Sequence, residues 1–222
     1  MLSCKKIHKS YSIANPNLNP VIDNIDLTIQ QGELVALKGP SGSGKTTLLN
    51  LISGLDKITS GEIIFENNNL TSMNNDELSS FRNKNMGIIF QFFNLLNDLT
   101  VVENISIPLL LKGVDKKTAH YAALKLIKEL NLENRAYYKA NLLSGGESQR
   151  VAIARSLITK PKIVLADEPT GNLDTENTEK VIKLLINSCK EFNSSLLIVS
   201  HDENIIKHFD TVYELDSGKL SN

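Results

Sequence analysis

The stretch ELVALKGPSGSGKTTLLNLISG, Glu33 to Gly54, decides the fold. Glu33 to Gly39 is a short apolar run closed by glycine, the pattern of a buried strand. Lys45 to Gly54 has helical spacing and a terminal glycine. Between them GPSGSGKTT fits G-x-x-x-x-G-K-[ST] in the context that motif needs, strand before and helix after. Gly39, Pro40, Ser41, Gly42, Ser43, Gly44, Lys45, Thr46 and Thr47 therefore form a candidate phosphate loop. Its glycines let the backbone curl so that several N–H groups point at phosphate oxygens. Lys45 brings positive charge to the β- and γ-phosphates, and the Thr46 hydroxyl is placed to ligate Mg²⁺.

Outward from this unit, strand-like and helix-like segments alternate. NIDLTIQ (Asn24 to Gln30) puts Ile25, Leu27 and Ile29 on one side, a half-buried strand. GEIIFEN (Gly61 to Asn67), MGIIFQ (Met86 to Gln91), KIVLAD (Lys162 to Asp167) and SSLLIVSH (Ser194 to His201) read as further strands. A helix is expected at about 175–192, and TVYELDSGKL (Thr211 to Leu220) as a closing hairpin. From Asn94 to Ile158 the pattern is mainly helical, and KKTAHYAALKLIKEL (Lys116 to Leu130) places Ala119, Ala122, Leu126 and Leu130 near one face. NPNLNP (Asn15 to Pro20) reads as a loop. Buried strands alternating with helices predict an α/β core with a mainly parallel sheet, interrupted by a helical insert.

IVLADEPTGNLD (Ile163 to Asp174) ends its strand in two acids, Asp167 and Glu168. Acids at the end of an apolar strand cost desolvation energy unless a cation compensates. The carboxyl ends of parallel strands share one rim, so Asp167 is a candidate ligand for a metal near Thr46. Alternation along an extended chain turns Glu168 elsewhere, where it can orient a water against the γ-phosphate.

A second anion-binding feature lies about a hundred residues later in the chain. NLLSGGESQRVAIARSL (Asn141 to Leu157) opens a helix with a serine and two glycines, which suits holding an anion on backbone N–H groups. An ordinary serine-capped helix has the same look.

Taken together these residues resemble the ATP-binding cassette ATPases, the nucleotide-binding subunits of ABC transporters, over nearly the whole length. LSGGE (Leu143 to Glu147) looks like the family's signature sequence. The resemblance implies a P-loop NTPase core with an N-terminal antiparallel β subdomain and an inserted α-helical subdomain. It implies one domain, with 1–91 and 159–222 as the core and 92–158 as the helical part. It also implies a head-to-tail homodimer around two MgATP. Ser144 and the N–H groups of Gly145 and Gly146 would grip the γ-phosphate held by the other copy, with the helix dipole assisting. Gln91 matches a glutamine that touches Mg²⁺ and water. His201 matches a histidine that bonds the γ-phosphate, and Asp174 lies in a loop linking the two sites. Tyr11 matches an aromatic that stacks on adenine; packing at a strand end is its alternative.

FQFFNLLNDLTVVENISIPLLLKGVDKK (Phe90 to Lys117) resembles the branch that includes lipoprotein-releasing, macrolide-export and cell-division cassettes. In that branch the region receives a coupling helix from a membrane permease. Phe92, Phe93, Leu95 and Leu96 would floor the docking groove, with Asn94, Asn97 and Asp98 on its rim; packing of the helical insert competes for the same side chains. Lipoprotein, peptide or macrolide export is the implied role. Mechanotransmission to cell-wall or cell-division machinery through a membrane partner is the alternative.

The bulk properties fit. The 222 residues are 41% hydrophobic and 22% charged, with net charge −1, so no basic footprint attracts nucleic acid. Cys4 and Cys189 match no zinc spacing and read as reduced thiols. The N-terminus has no run of signal-peptide length, and Pro108 and Lys112 interrupt the greasiest stretch. The expectation is a cytoplasmic chain without an appended regulatory domain, held at the cytoplasmic face of the membrane by its permease.

Overall fold

A computed structural model describes residues 1–12, 20–171, 173 and 175–221. The strands and helices run β1 (Leu2–Lys9), β2 (Ile22–Ile29), β3 (Leu34–Lys38), α1 (Lys45–Ile52), β4 (Ser60–Phe65) and β5 (Asn68–Asn69). They continue with α2 (Asn75–Asn85), β6 (Met86–Ile89), α3 (Val101–Leu111), α4 (Lys116–Glu129), α5 (Gly145–Leu157) and β7 (Ile163–Asp167). The chain closes with α6 (Thr175–Glu191), β8 (Ser195–Val199), α7 (Glu203–Ile206), β9 (Thr211–Asp216) and β10 (Lys219–Ser221). It divides into two compact units, Met1–Ser80 with Ser195–Asn222, and Phe81–Ser194. The loop expected at Asn15 to Pro20 lies outside the described residues, except for Pro20.

In the first unit, β2, β1, β4 and β5 form an antiparallel sheet in that order. Ile25, Leu27 and Ile29 are buried as the alternation predicts. β1 itself carries no clean alternation, because its register shifts between Cys4 and Ile7, where Lys6 has φ 49°. The Asp26 carboxylate accepts the Lys6 N–H at 2.9 Å across that bulge. β3 pairs in parallel with both β8 and β9, and β9 turns back into β10 through Ser217 and Gly218, both at positive φ. Two central residues at positive φ match the twist of a tight hairpin.

In the second unit β6 and β7 pair in parallel, and every residue of β7 is buried. Helices α3, α4 and α5 pack around Val101, Val102, Ile105, Ala123, Ile127 and Val151. On α4 the buried residues are Ala119, Ala123 and Ile127, with Leu130 just beyond. Ala122 and Leu126 are only half-buried, so the expected face is rotated by one position toward strict i, i+4 spacing. α3 runs through Pro108 to Leu111 rather than stopping there. Among the described residues no helix is long and apolar enough to cross a membrane.

Candidate nucleotide-binding site

The phosphate loop begins where β3 ends. A Cβ on Gly39 (φ 150°) would collide with the Leu215 carbonyl oxygen, so only glycine fits the close approach. Gly44 is left-handed at φ 104° and starts α1 without a side-chain cap, which leaves the helix's first N–H groups facing the loop. Lys45 arches back over the loop, donating to the carbonyls of Gly39 and Pro40 at 2.8 Å each. Thr46 is exposed on the first turn of α1. The Ser43 hydroxyl is buried with no hydrogen-bond partner, a condition that a phosphate oxygen relieves.

Tyr11 is 61% exposed, which removes the core alternative for its ring. Its hydroxyl donates to Asp56 at 2.8 Å, with the Thr47 side chain of the phosphate loop close by. Lys9 lies 4.5 Å from the ring centroid and donates to both Asp56 (2.8 Å) and the Lys57 carbonyl (2.7 Å). Desolvation, then the bond to Asp56, raises the Tyr11 pKa. Burial opposes ionisation of Asp56, but the bonds from Lys9, Tyr11 and the Lys57 backbone outweigh it and lower its pKa. The ring is thus fixed at its hydroxyl and open on its surface beside the phosphate loop.

His201 leaves the same end of the sheet as the loop. Leu37 of β3 faces Val199 of β8, and the Ser200 N–H donates to the Leu37 carbonyl at 3.2 Å. Gly39 and His201 therefore each lie two residues past a paired position on adjacent parallel strands. His201 is exposed.

The second unit repeats this logic. Ile89 of β6 faces Ala166 of β7, so Gln91, Asp167 and Glu168 emerge from one end of adjacent parallel strands. Asp167 is 8% exposed. Glu168 has φ 43°, so the backbone has left the strand by this residue. The alternation of an extended chain therefore does not carry through to Glu168.

Ser144 is the N-cap of α5 in a capping box. Its hydroxyl accepts the Glu147 N–H at 3.3 Å, and Glu147 accepts the Ser144 N–H at 2.8 Å. A Cβ on Gly146 would meet Leu173 at 3.3 Å. Asp174 lies outside the described residues. The loop after β6 exposes Phe92 (75%) and Leu96 (51%), while Phe93 and Leu95 are half-buried and Leu95 packs on the helical cluster. Packing of the helical insert thus takes Leu95, while Phe92 and Leu96 stay at the surface. Arg155 donates to the Phe93 and Asn94 carbonyls at 2.7 and 2.6 Å. The fully buried Asn104 amide bonds both the N–H and the carbonyl of Leu96. Beside the loop lies a cavity of about 180 Å³ lined by Met86, Ile88, Pro108, Arg82, Arg155 and Thr159, among others. Sequence reasoning missed Lys9, Asp56, Asn104, Arg135 and Arg155, since no motif marks them.

The first unit thus carries the glycine loop, with His201 at the same end of its sheet, and the second carries Gln91, Asp167 and Glu168 at one end of its strands and the serine–glycine start of α5. The family profile described as ABC transporter matches residues 22–171, and the chain belongs to this family of ATP-binding ATPase domains. It is 44% identical over 221 residues to the Lipoprotein-releasing system ATP-binding protein LolD of Pseudoalteromonas translucida, covering all of this chain and 95% of that protein. The LolD protein of Porphyromonas gingivalis is 40% identical over 220 residues, covering 99% and 98%. A solved dimeric structure of the ATP-binding cassette MJ0796, bound to ADP and Pi in a post-hydrolysis state, superposes with a TM-score of 0.92. It is 37% identical and covers all of this chain and 97% of that one.

Proposed function

We propose that this chain is the ATPase subunit of a lipoprotein-releasing transporter. In this reading it lies at the cytoplasmic face of the membrane, bound there by a separate permease. The observation that carries the reading is end-to-end likeness to LolD proteins, beyond the shared nucleotide motifs. Two copies pair head to tail around two ATP molecules, and 92–158 acts as the helical arm of a core formed by 1–91 and 159–222.

In each site the loop from Gly39 to Thr47 wraps the phosphates, Lys45 neutralises the β- and γ-oxygens, and Tyr11 stacks on adenine. Ser144, Gly145 and Gly146 of the other copy close on the γ-phosphate, with Asp174 linking the two sites. Thr46, Asp167 and Gln91 would hold Mg²⁺. These are hard oxygen donors, and among the described residues no cluster of three or more acidic, His or Cys side chains competes with them. That donor set fits an ion held largely by phosphates and water. When bound, Mg²⁺ offsets charge on the phosphate oxygens. Glu168 orients the attacking water and accepts its proton, while His201 donates to the γ-phosphate. Phe92 and Leu96, with the neighbouring cavity, receive the permease's cytoplasmic helix, and Asn94, Asn97 and Asp98 rim that groove.

The test is reconstitution with the membrane proteins that co-purify with this chain, in vesicles carrying a labelled lipoprotein. ATP-dependent release of the lipoprotein is expected. ATP turnover with no release of lipoprotein would contradict the transport assignment and favour mechanotransmission.

A further inference from the structure

The start of α5 contains a conflict of charge. Glu147 sits at the third position of the helix, one turn from the residues proposed to meet a γ-phosphate. A capping box needs an acceptor at that position, and a neutral glutamine amide supplies one equally well. A carboxylate there opposes the helix dipole's attraction for an anion.

Arg135 answers that charge. Its Nε donates to Glu147 Oε1 at 2.8 Å, while Oε2 of the same carboxylate accepts the Ser144 N–H at 2.8 Å. The guanidinium lies 4.8 Å from the centroid of the Tyr138 ring, which fixes its plane. The hydrogen bond from Arg135 is the largest cause holding the Glu147 carboxyl at about 2, so the pair is fully ionised. The Ser144 hydroxyl accepts the Glu147 N–H, and its side chain also helps to hold the Glu147 carboxyl low. Arg135's side chain is 40% exposed, so solvent screens the pair and its contribution to folding is modest.

We propose that Arg135 is a positioning residue of the signature site: it cancels the charge of Glu147 and holds the box so that the helix start attracts the γ-phosphate. This rests on the reading that Ser144, Gly145 and Gly146 grip ATP.

The test uses the full chain carrying Glu168→Gln, with dimerisation followed by sedimentation velocity against MgATP concentration. Arg135→Met keeps an apolar stem over Tyr138 and removes the charge. It should raise the ATP needed for half-dimerisation about tenfold, the scale of one uncompensated charge at a helix start. Adding Glu147→Gln should restore the parent value to within about twofold, because the box survives without its charge. A purely structural Arg135 gives no such rescue. A silent Arg135→Met, or a double variant no better than the single, overturns the proposal. Gly145→Asp separates the layers: if that carboxylate within the signature leaves dimerisation intact, the signature reading itself fails.

Discussion

Lys45 now donates to two neutral carbonyls, those of Gly39 and Pro40. A triphosphate offers anionic acceptors instead, and charge-assisted bonds are about twice as strong as neutral ones. Lys45→Ala should therefore weaken ATP affinity by about 2 kcal/mol, roughly thirtyfold, measured by titration calorimetry. An unchanged Kd would remove Lys45 from the site. Residues of this kind were legible because phosphate chemistry demands a lysine and glycines at fixed spacing. Their supports were not. Lys9 reaches Asp56 across 47 positions and Arg155 reaches Phe93 across 62, and no local pattern encodes such pairs.

At the scale of elements, the apolar runs announced β3, β7 and β8 because they are buried throughout or nearly so. β1 escaped notice because its bulge breaks the alternation, and α2 because its sequence, NDELSSFRNKN, has almost no apolar face. Helix caps are a local code with a measurable cost. The Thr100 hydroxyl accepts the Glu103 N–H at 3.3 Å, and Glu103 accepts the Thr100 N–H at 2.9 Å. Thr100→Ala should cost about 1 kcal/mol, seen as a lower urea midpoint with unchanged slope. An unmoved midpoint would deny the cap its role.

The box on α5 gives a pH signature of known sign. Glu147 is lowered from 4.5 to about 2. A carboxyl depressed in the folded state stabilises it at pH above the unfolded value, and that contribution fades as pH falls through the folded one. Stability should therefore drop between about 4.5 and 2, and Glu147→Gln should flatten that part of the curve. An identical pH profile in the variant would contradict the pairing with Arg135.

For the whole molecule, the proposed docking surface is the exposed pair Phe92 and Leu96, whose loop is held from beneath by Arg155 and Asn104. A charge at the centre of an apolar contact is costly to desolvate. Phe92→Glu should abolish co-purification of the membrane partner, and full recovery of the complex would move the docking surface elsewhere. The central claim concerns two copies joined by nucleotide. Glu168→Gln removes the group proposed to orient water, so hydrolysis should fall by at least about a hundredfold while ATP still binds. In saturating MgATP, sedimentation of that variant should show a dimer that returns to monomer when ATP is removed. A hydrolysis-deficient chain that binds ATP yet stays monomeric, even with its permease present, would contradict the account.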